Sequence, residues 1–297
     1  MPVIVRARGK INFTLDVLGS RTDGFHEVSM VMQSISLYDV LTFQAGDKLE
    51  LIWDPRGSRP PALALDESND ILRAARYLKE VSGCPRGASI WLDKRLPIAS
   101  GLGSGSADGA ATLVGLNRLW QTGYSQADLM KMAAELGSDT PFCIMGGTAV
   151  ASGRGEIVER LPFAGIWHLA LFKPPQSIST KLVYTSLQQD RLPAPVTELL
   201  VRSLQVGDQN HLPELLSNHL ESVTFSMLPE LQQLKERLMF AGAEKALMSG
   251  SGPTVFAISK DAELAAKLVE ELTPPGWWSG IAVTAELGAE IEEEPEE

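Results

Sequence analysis

The 297-residue chain is 44% hydrophobic and 21% charged, ordinary proportions for a globular protein large enough for two domains. Most of its net charge of −11 comes from the last twelve residues, ELGAEIEEEPEE, which hold seven glutamates and no cation, and without a basic stripe nucleic-acid binding is disfavoured. Two cysteines lacking ligand spacing give no zinc site or disulfide framework, no apolar run reaches the ~18 residues of a membrane span, and no signal peptide opens the chain, so a reducing cytoplasm is expected.

Residues 3–16 alternate, with Ile11, Phe13 and Leu15 on one face and Lys10, Asn12, Thr14 and Asp16 on the other. That pattern predicts a half-buried strand whose second face is polar. GSRTDGFH (19–26) reads as a turn and residues 27–44 as more strand. Helical patterns follow at 69–80, 107–120 and 125–136, with a strand at 88–96. Ser125 with Asp128 predicts a capping box, and Gly137 a glycine stop. In SDTPF, Thr140 is the expected N-cap of the next helix and Pro141 its first residue. Further strands fall at 166–172 and 254–259, with helices between them. Strands and helices mixed without regular βαβ alternation indicate an α+β fold.

The stretch PIASGLGSGSADGAATLVGLN (97–117) places a glycine-rich loop directly ahead of a helix. Such a loop suits an anion, because glycine lets the backbone approach and the first-turn amides are unpaired. It contains no Walker A pattern, and Ser106 stands where the third glycine of GxGxxG would fall. Glycine content alone leaves phosphate binding and a plain flexible turn equally open.

The whole stretch resembles the ATP-binding signature of the GHMP kinases (galactokinase, homoserine, mevalonate and phosphomevalonate kinases). GKIN followed by GSRTDGFHEVSMVMQSISLYD, LGSDTPFCIMGGTAVASGRGE and ALMSGSGPTVFAI appear in the order of that superfamily's landmarks. They are most similar to its members acting on 4-diphosphocytidyl-2-C-methyl-D-erythritol.

The resemblance implies a two-domain fold with the active site in the cleft between the domains. An N-terminal domain like domain 2 of ribosomal protein S5 would span 1–158 and a ferredoxin-like one 159–285, leaving 286–297 as an acidic, disordered tail. It implies phosphorylation of the acceptor's 2-hydroxyl by ATP with Mg²⁺, a step of non-mevalonate isoprenoid synthesis. Lys10 and Asp139 match the catalytic lysine and aspartate. Asn12, Phe25, His26, Thr180 and Tyr184 fall at substrate-binding positions, with Phe25 and Tyr184 as aromatic faces around the cytosine.

For ATP, the resemblance implies Pro97, Ile98, Ala99, Ser100, Gly101 and Leu102, then Gly103, Ser104, Gly105, Ser106 and Ala107. Asn69 joins them or caps the helix that it starts. Gly250, Ser251 and Gly252 form the third-motif loop. Three letters depart from the pattern: Ser104 replaces a glycine, Ala107 a serine and Gly109 an alanine. Losing the second hydroxyl at 107 implies weaker engagement of Mg·ATP, leaning on phosphates, water and Ser106. Two rivals remain at this stage, a kinase of the same superfamily with another acceptor and a catalytically silent nucleotide-binding protein. The base-suited aromatics argue against the first, and the presence of both Lys10 and Asp139 against the second.

Overall fold

The computed structural model describes residues 1–54 and 63–292. Two long strands, β1 (Val3–Ser20) and β2 (His26–Gly46), form the spine of the N-terminal lobe, antiparallel along most of their length. β3 (Leu49–Trp53) and β4 (Gly87–Asp93) extend one side, while β5 (Thr148–Ser152) and β6 (Ile157–Arg160) add a hairpin to the other part of β2. Helices α1 (Asp70–Ser82), α2 (Ser104–Trp120), α3 (Gln126–Leu136) and α4 (Thr140–Met145) pack with this sheet. Its core includes Ile11, Phe13, Phe43, Ile71 and Leu116.

The second lobe begins with β7 (His168–Lys173), followed by α5 (Thr180–Thr185), α6 (Thr197–Gln205) and α7 (Leu212–Leu215). Then come β8 (Ser217–Asn218), α8 (Glu221–Met227), α9 (Pro229–Phe240), β9 (Lys245–Met248), β10 (Val255–Ser259), α10 (Ala262–Leu272), β11 (Trp278–Ala285) and β12 (Glu290–Ile291). Its four main strands lie in the order β11-β7-β10-β9, all antiparallel. With helices between β7 and β9 and between β10 and β11, this is the βαββαβ arrangement of a ferredoxin-like unit. Among the described residues no helix is long and apolar enough to cross a membrane.

Several expectations change here. Residues 286–292 are not a disordered tail. β12 pairs with β1 (Val5 with Ile291, Arg6 with Glu290), and Arg6 and Arg8 reach Glu292 and Glu290 at 2.7 and 2.6 Å. Two glutamates of the run that looks solvated, Glu290 and Glu292, are each paired with an arginine of the first strand; residues 293–297 lie outside the described residues. The boundary at 158/159 cuts β6, whose pairing with β5 assigns residues up to Arg160 to the first lobe. The lobes also share one sheet, because Thr284 and Ala285 at the end of β11 pair with Ile35 and Ser34 of β2.

The polar face of β1 is buried rather than solvated, since Lys10, Asn12, Thr14 and Asp16 are all at or below 3% exposure. The second lobe covers it, with β8 running parallel beside Thr14 and Leu15 and Asp16 accepting from the Val196 and Thr197 amides. His219 meets the same carboxylate at 3.3 Å and accepts from the Val17 amide through Nδ1.

The local caps are read with mixed success. Ser125 and Asp128 form the expected capping box. Gly137 ends α3 in extended backbone (φ −178°), so no left-handed stop is needed. At α4 the N-cap position belongs to Asp139, with Thr140 and Pro141 as the first two helical residues.

Candidate active site

Three segments converge on one cavity of about 860 Å³. β1 contributes Lys10 and Asn12, the loop ahead of α2 contributes residues from Ala99 to Ser106, and the loop after β9 contributes Gly250, Ser251 and Gly252. The Lys10 amide donates to the Leu102 carbonyl at 2.9 Å, tying the first segment to the second. Ser249 Oγ donates to the Gly101 carbonyl at 2.9 Å and the Thr254 amide to Ser100, tying the second to the third.

The Lys10 ammonium donates to Asn12 Oδ1 at 2.8 Å and lies 3.1 Å from Asp139 Oδ2. Asp139 occupies an N-cap position but makes no side-chain cap, so its carboxylate is left for Lys10 and the cavity. A helix-capping aspartate is therefore not its role here.

α2 presents its N-terminus to the cavity. Gly103 is its N-cap in left-handed backbone (φ +71°), and no acidic side chain occupies its first turn. Unpaired amides and the helix dipole make this a site for negative charge. The loop is held from beneath by a buried ionic trio. Lys94 pairs with Asp39 Oδ2 at 2.7 Å and with Asp108, while Asp39 Oδ1 accepts from the Arg95 and Leu96 amides. Burial alone would lower the Lys94 pKa, yet the two carboxylates outweigh it and hold the ammonium above its ordinary value. Burial pushes the Asp108 carboxyl well up.

Lining the same cavity, the His26 and Tyr184 rings meet at 5.1 Å and an angle of 37°. Phe25 lines the cavity beside them, about half exposed, with the Arg154 guanidinium 5.3 Å over its ring. Burial, and then the charge of Asp139, push the Tyr184 phenol above its ordinary range. Thr180 hydrogen-bonds Ser251 Oγ at 2.9 Å, joining the start of α5 to the third loop.

Lys10, Asn12, Phe25, His26, Asp139, Thr180 and Tyr184 are thus brought together, as are Ala99, Ser100, Gly101, Gly103, Ser104, Gly105 and Ser106. Five expected nucleotide residues are not. Asn69 Oδ1 accepts from the Ile71 amide and its Nδ2 donates to the Ala64 carbonyl, so this side chain is spent on capping α1. Pro97 and Ile98 precede the cavity wall, Leu102 is fully buried, and Ala107 packs into the core at 1% exposure. The missing hydroxyl at 107 therefore concerns a core-packed position, whereas Ser106 does line the cavity. Ser104 lies in ordinary helical backbone and suffers no glycine-only strain.

Residues that sequence reasoning missed complete the site. Asn218 Nδ2 donates to the Met248 and Gly250 carbonyls, both at 2.8 Å, and fixes the third loop. Asp39, Lys94 and Arg154 were missed as well. Asp39 and Lys94 carry a faint signal, as charged residues in or beside otherwise apolar strand sequence.

Family models match at residues 69–147 (GHMP kinases N terminal domain) and 200–274 (GHMP kinases C terminal). The 4-diphosphocytidyl-2-C-methyl-D-erythritol kinase of Pelotomaculum thermopropionicum is 47% identical over 268 residues, covering 89% of this chain and 92% of that protein. The enzyme of the same name from Listeria welshimeri is 42% identical over 261 residues, 88% of each. A crystal structure of 4-(cytidine 5'-diphospho)-2C-methyl-D-erythritol kinase superposes with a TM-score of 0.76 at 29% identity, covering 94% of this chain and 98% of that one. Homoserine kinase from Cytophaga hutchinsonii superposes at 0.75 over 98% of this chain and 97% of its own, but at 20% identity it shows the shared fold alone. The chain belongs to the GHMP kinases and, within them, to the 4-diphosphocytidyl-2-C-methyl-D-erythritol kinase family.

Proposed function

We infer that this protein transfers the γ-phosphoryl group of ATP to the 2-hydroxyl of 4-diphosphocytidyl-2-C-methyl-D-erythritol, giving the 2-phosphate and ADP. It would act in the cytoplasm, in non-mevalonate isoprenoid precursor synthesis. The observation that carries this reading is the Lys10–Asp139 pair, which lines one cavity with the N-terminus of α2 and the His26–Tyr184 ring pair.

In the proposed mechanism, the α2 N-terminus and the glycine loop hold the ATP phosphates. Asp139 takes the proton of the acceptor hydroxyl as its oxygen bonds to the γ-phosphorus and the bond to ADP breaks. Lys10 neutralises charge gathering on the transferring group and holds Asp139 in place. Phe25, His26 and Tyr184 receive the cytosine, whose flat faces suit stacking.

A divalent cation bound with ATP would supply neutralisation of the β- and γ-phosphates. The residues present fit a cation carried on the nucleotide, which needs only one or two protein oxygens besides phosphate and water. Ser106 offers a hydroxyl at the cavity wall, and among the described residues no cluster of three acidic, histidine or cysteine side chains exists to hold a resident metal.

A coupled ADP-release assay with the CDP-linked acceptor tests the reading. Wild type is expected to turn over, and Asp139→Asn to lose at least about a hundredfold in kcat. Transfer to homoserine or mevalonate in place of the CDP-linked alcohol would overturn the acceptor assignment. Unchanged turnover in Asp139→Asn would remove the proposed base.

A further inference from the structure

Arg154 sits in the turn joining β5 to β6, between Gly153 and Gly155, and its side chain reaches back to the cavity wall. The turn is built to aim it there. The Val28 amide of β2 donates to the Gly153 carbonyl at 2.8 Å, and the Arg154 amide donates to Glu156 Oε2 at the same distance. Nη2 then donates to the Ala134 carbonyl of α3 at 2.9 Å. So anchored, the guanidinium lies 5.3 Å over the Phe25 ring.

Phe25 needs such a partner. Its backbone is fixed, since its amide donates to Asp23 Oδ1 and its carbonyl accepts from the Arg21 amide at 2.8 Å. Its ring, however, is 49% exposed on a turn. An exposed phenyl that must serve as a stacking wall loses rotamer freedom when a base binds, and that loss weakens binding. A cation seated on one face restricts the ring beforehand and leaves the other face for a planar group.

We propose that Arg154 is a positioning residue for the base end of the acceptor, fixing Phe25 as one wall of the cytosine pocket. The proposal rests on the acceptor assigned above. It predicts that Arg154 acts on acceptor affinity alone and only through Phe25, whereas a structural turn residue would alter both substrates or the fold.

A double-mutant cycle decides it, with Arg154→Leu, Phe25→Leu and the pair compared with wild type. KM for the CDP-linked acceptor, KM for ATP, kcat, the Kd for CDP by calorimetry and the Tm are measured for each. Arg154→Leu is expected to raise the acceptor KM and the Kd for CDP about fivefold, with ATP KM and kcat within about twofold of wild type. In the Phe25→Leu background the same change is expected to add nothing, and Arg154→Lys, which keeps the cation, to recover part of the loss. An unchanged acceptor KM, losses that multiply in the double variant, or parallel losses for ATP with a lowered Tm would each overturn the proposal. Failure of the functional reading is distinct: wild type itself would release no ADP with this acceptor, and with no CDP bound by wild type both fall.

Discussion

The Lys10 ammonium lies 3.1 Å from the Asp139 carboxylate although one residue belongs to the first strand and the other to the start of the fourth helix. Both also border the loop that opens α2, so the proposed base, its cation and the anion site share one small volume. The packing around Lys10 is tight, which makes the geometry sensitive to single atoms.

Gly103 is where that sensitivity is greatest. A Cβ there would stand 2.9 Å from Lys10 Cγ, and the residue's φ of +71° is unfavourable for any L side chain. Gly103→Ala is expected to cost about 1–2 kcal/mol in backbone strain and to displace Lys10. Steady-state kinetics should show kcat falling more than tenfold, while a circular-dichroism spectrum stays native.

The buried trio beneath the loop predicts a loss of stability. Lys94→Met leaves Asp39 and Asp108 facing each other without a counter-charge, at 0% and 5% side-chain exposure. Breaking a buried pair in this way costs about 3–5 kcal/mol. Urea unfolding should register that loss, and ATP affinity should fall with it because the loop's support is gone.

Gly109 offers the opposite outcome. It lies in the first turns of α2, in ordinary helical backbone, and a Cβ would approach no atom nearer than 3.8 Å. Gly109→Ala is expected to stabilise the protein by about 0.5–1 kcal/mol, through helix propensity and a less flexible unfolded chain. A thermal melt with a raised Tm and unchanged turnover is the expected result.

His219 gives stability a pH dependence. Burial lowers its pKa below the ordinary 6.5, against the pull of Asp16, and its Nδ1 lone pair is held by the Val17 amide. A depressed folded-state pKa means that its contribution is intact above about pH 6.5 and is lost as pH falls towards the folded value, because the unfolded chain takes up the proton first. Urea midpoints should therefore drop as pH falls below about 6.5, and His219→Gln should remove part of that slope.

Much of the site was legible as letters. Lys10, the glycine loop, Asp139 and the SGSGPT loop were legible through their resemblance, in order, to the GHMP landmarks, which implied that they share one cleft. The cap of α3 was legible for the same reason, since Ser125 and Asp128 are three residues apart and bond each other. Asn69 was ambiguous because the same amide can cap a helix or face a ligand, and only its bonds to Ile71 and Ala64 decide between them. The acidic C-terminus misled because glutamates read alone are a solvated run, while Arg6 and Arg8 lie at the far end of the chain.

The sequence by itself determined the elements and the chemical inventory, because strand alternation, helix periodicity and glycine turns are short-range properties of the chain. The tertiary structure decided which groups meet. Burial of the polar face of β1, the closing of β12 on β1, the Asp39–Lys94–Asp108 trio and the seating of Arg154 on Phe25 all depend on residues far apart in sequence. No local periodicity encodes such contacts, since they are fixed by how the two lobes and their shared sheet pack.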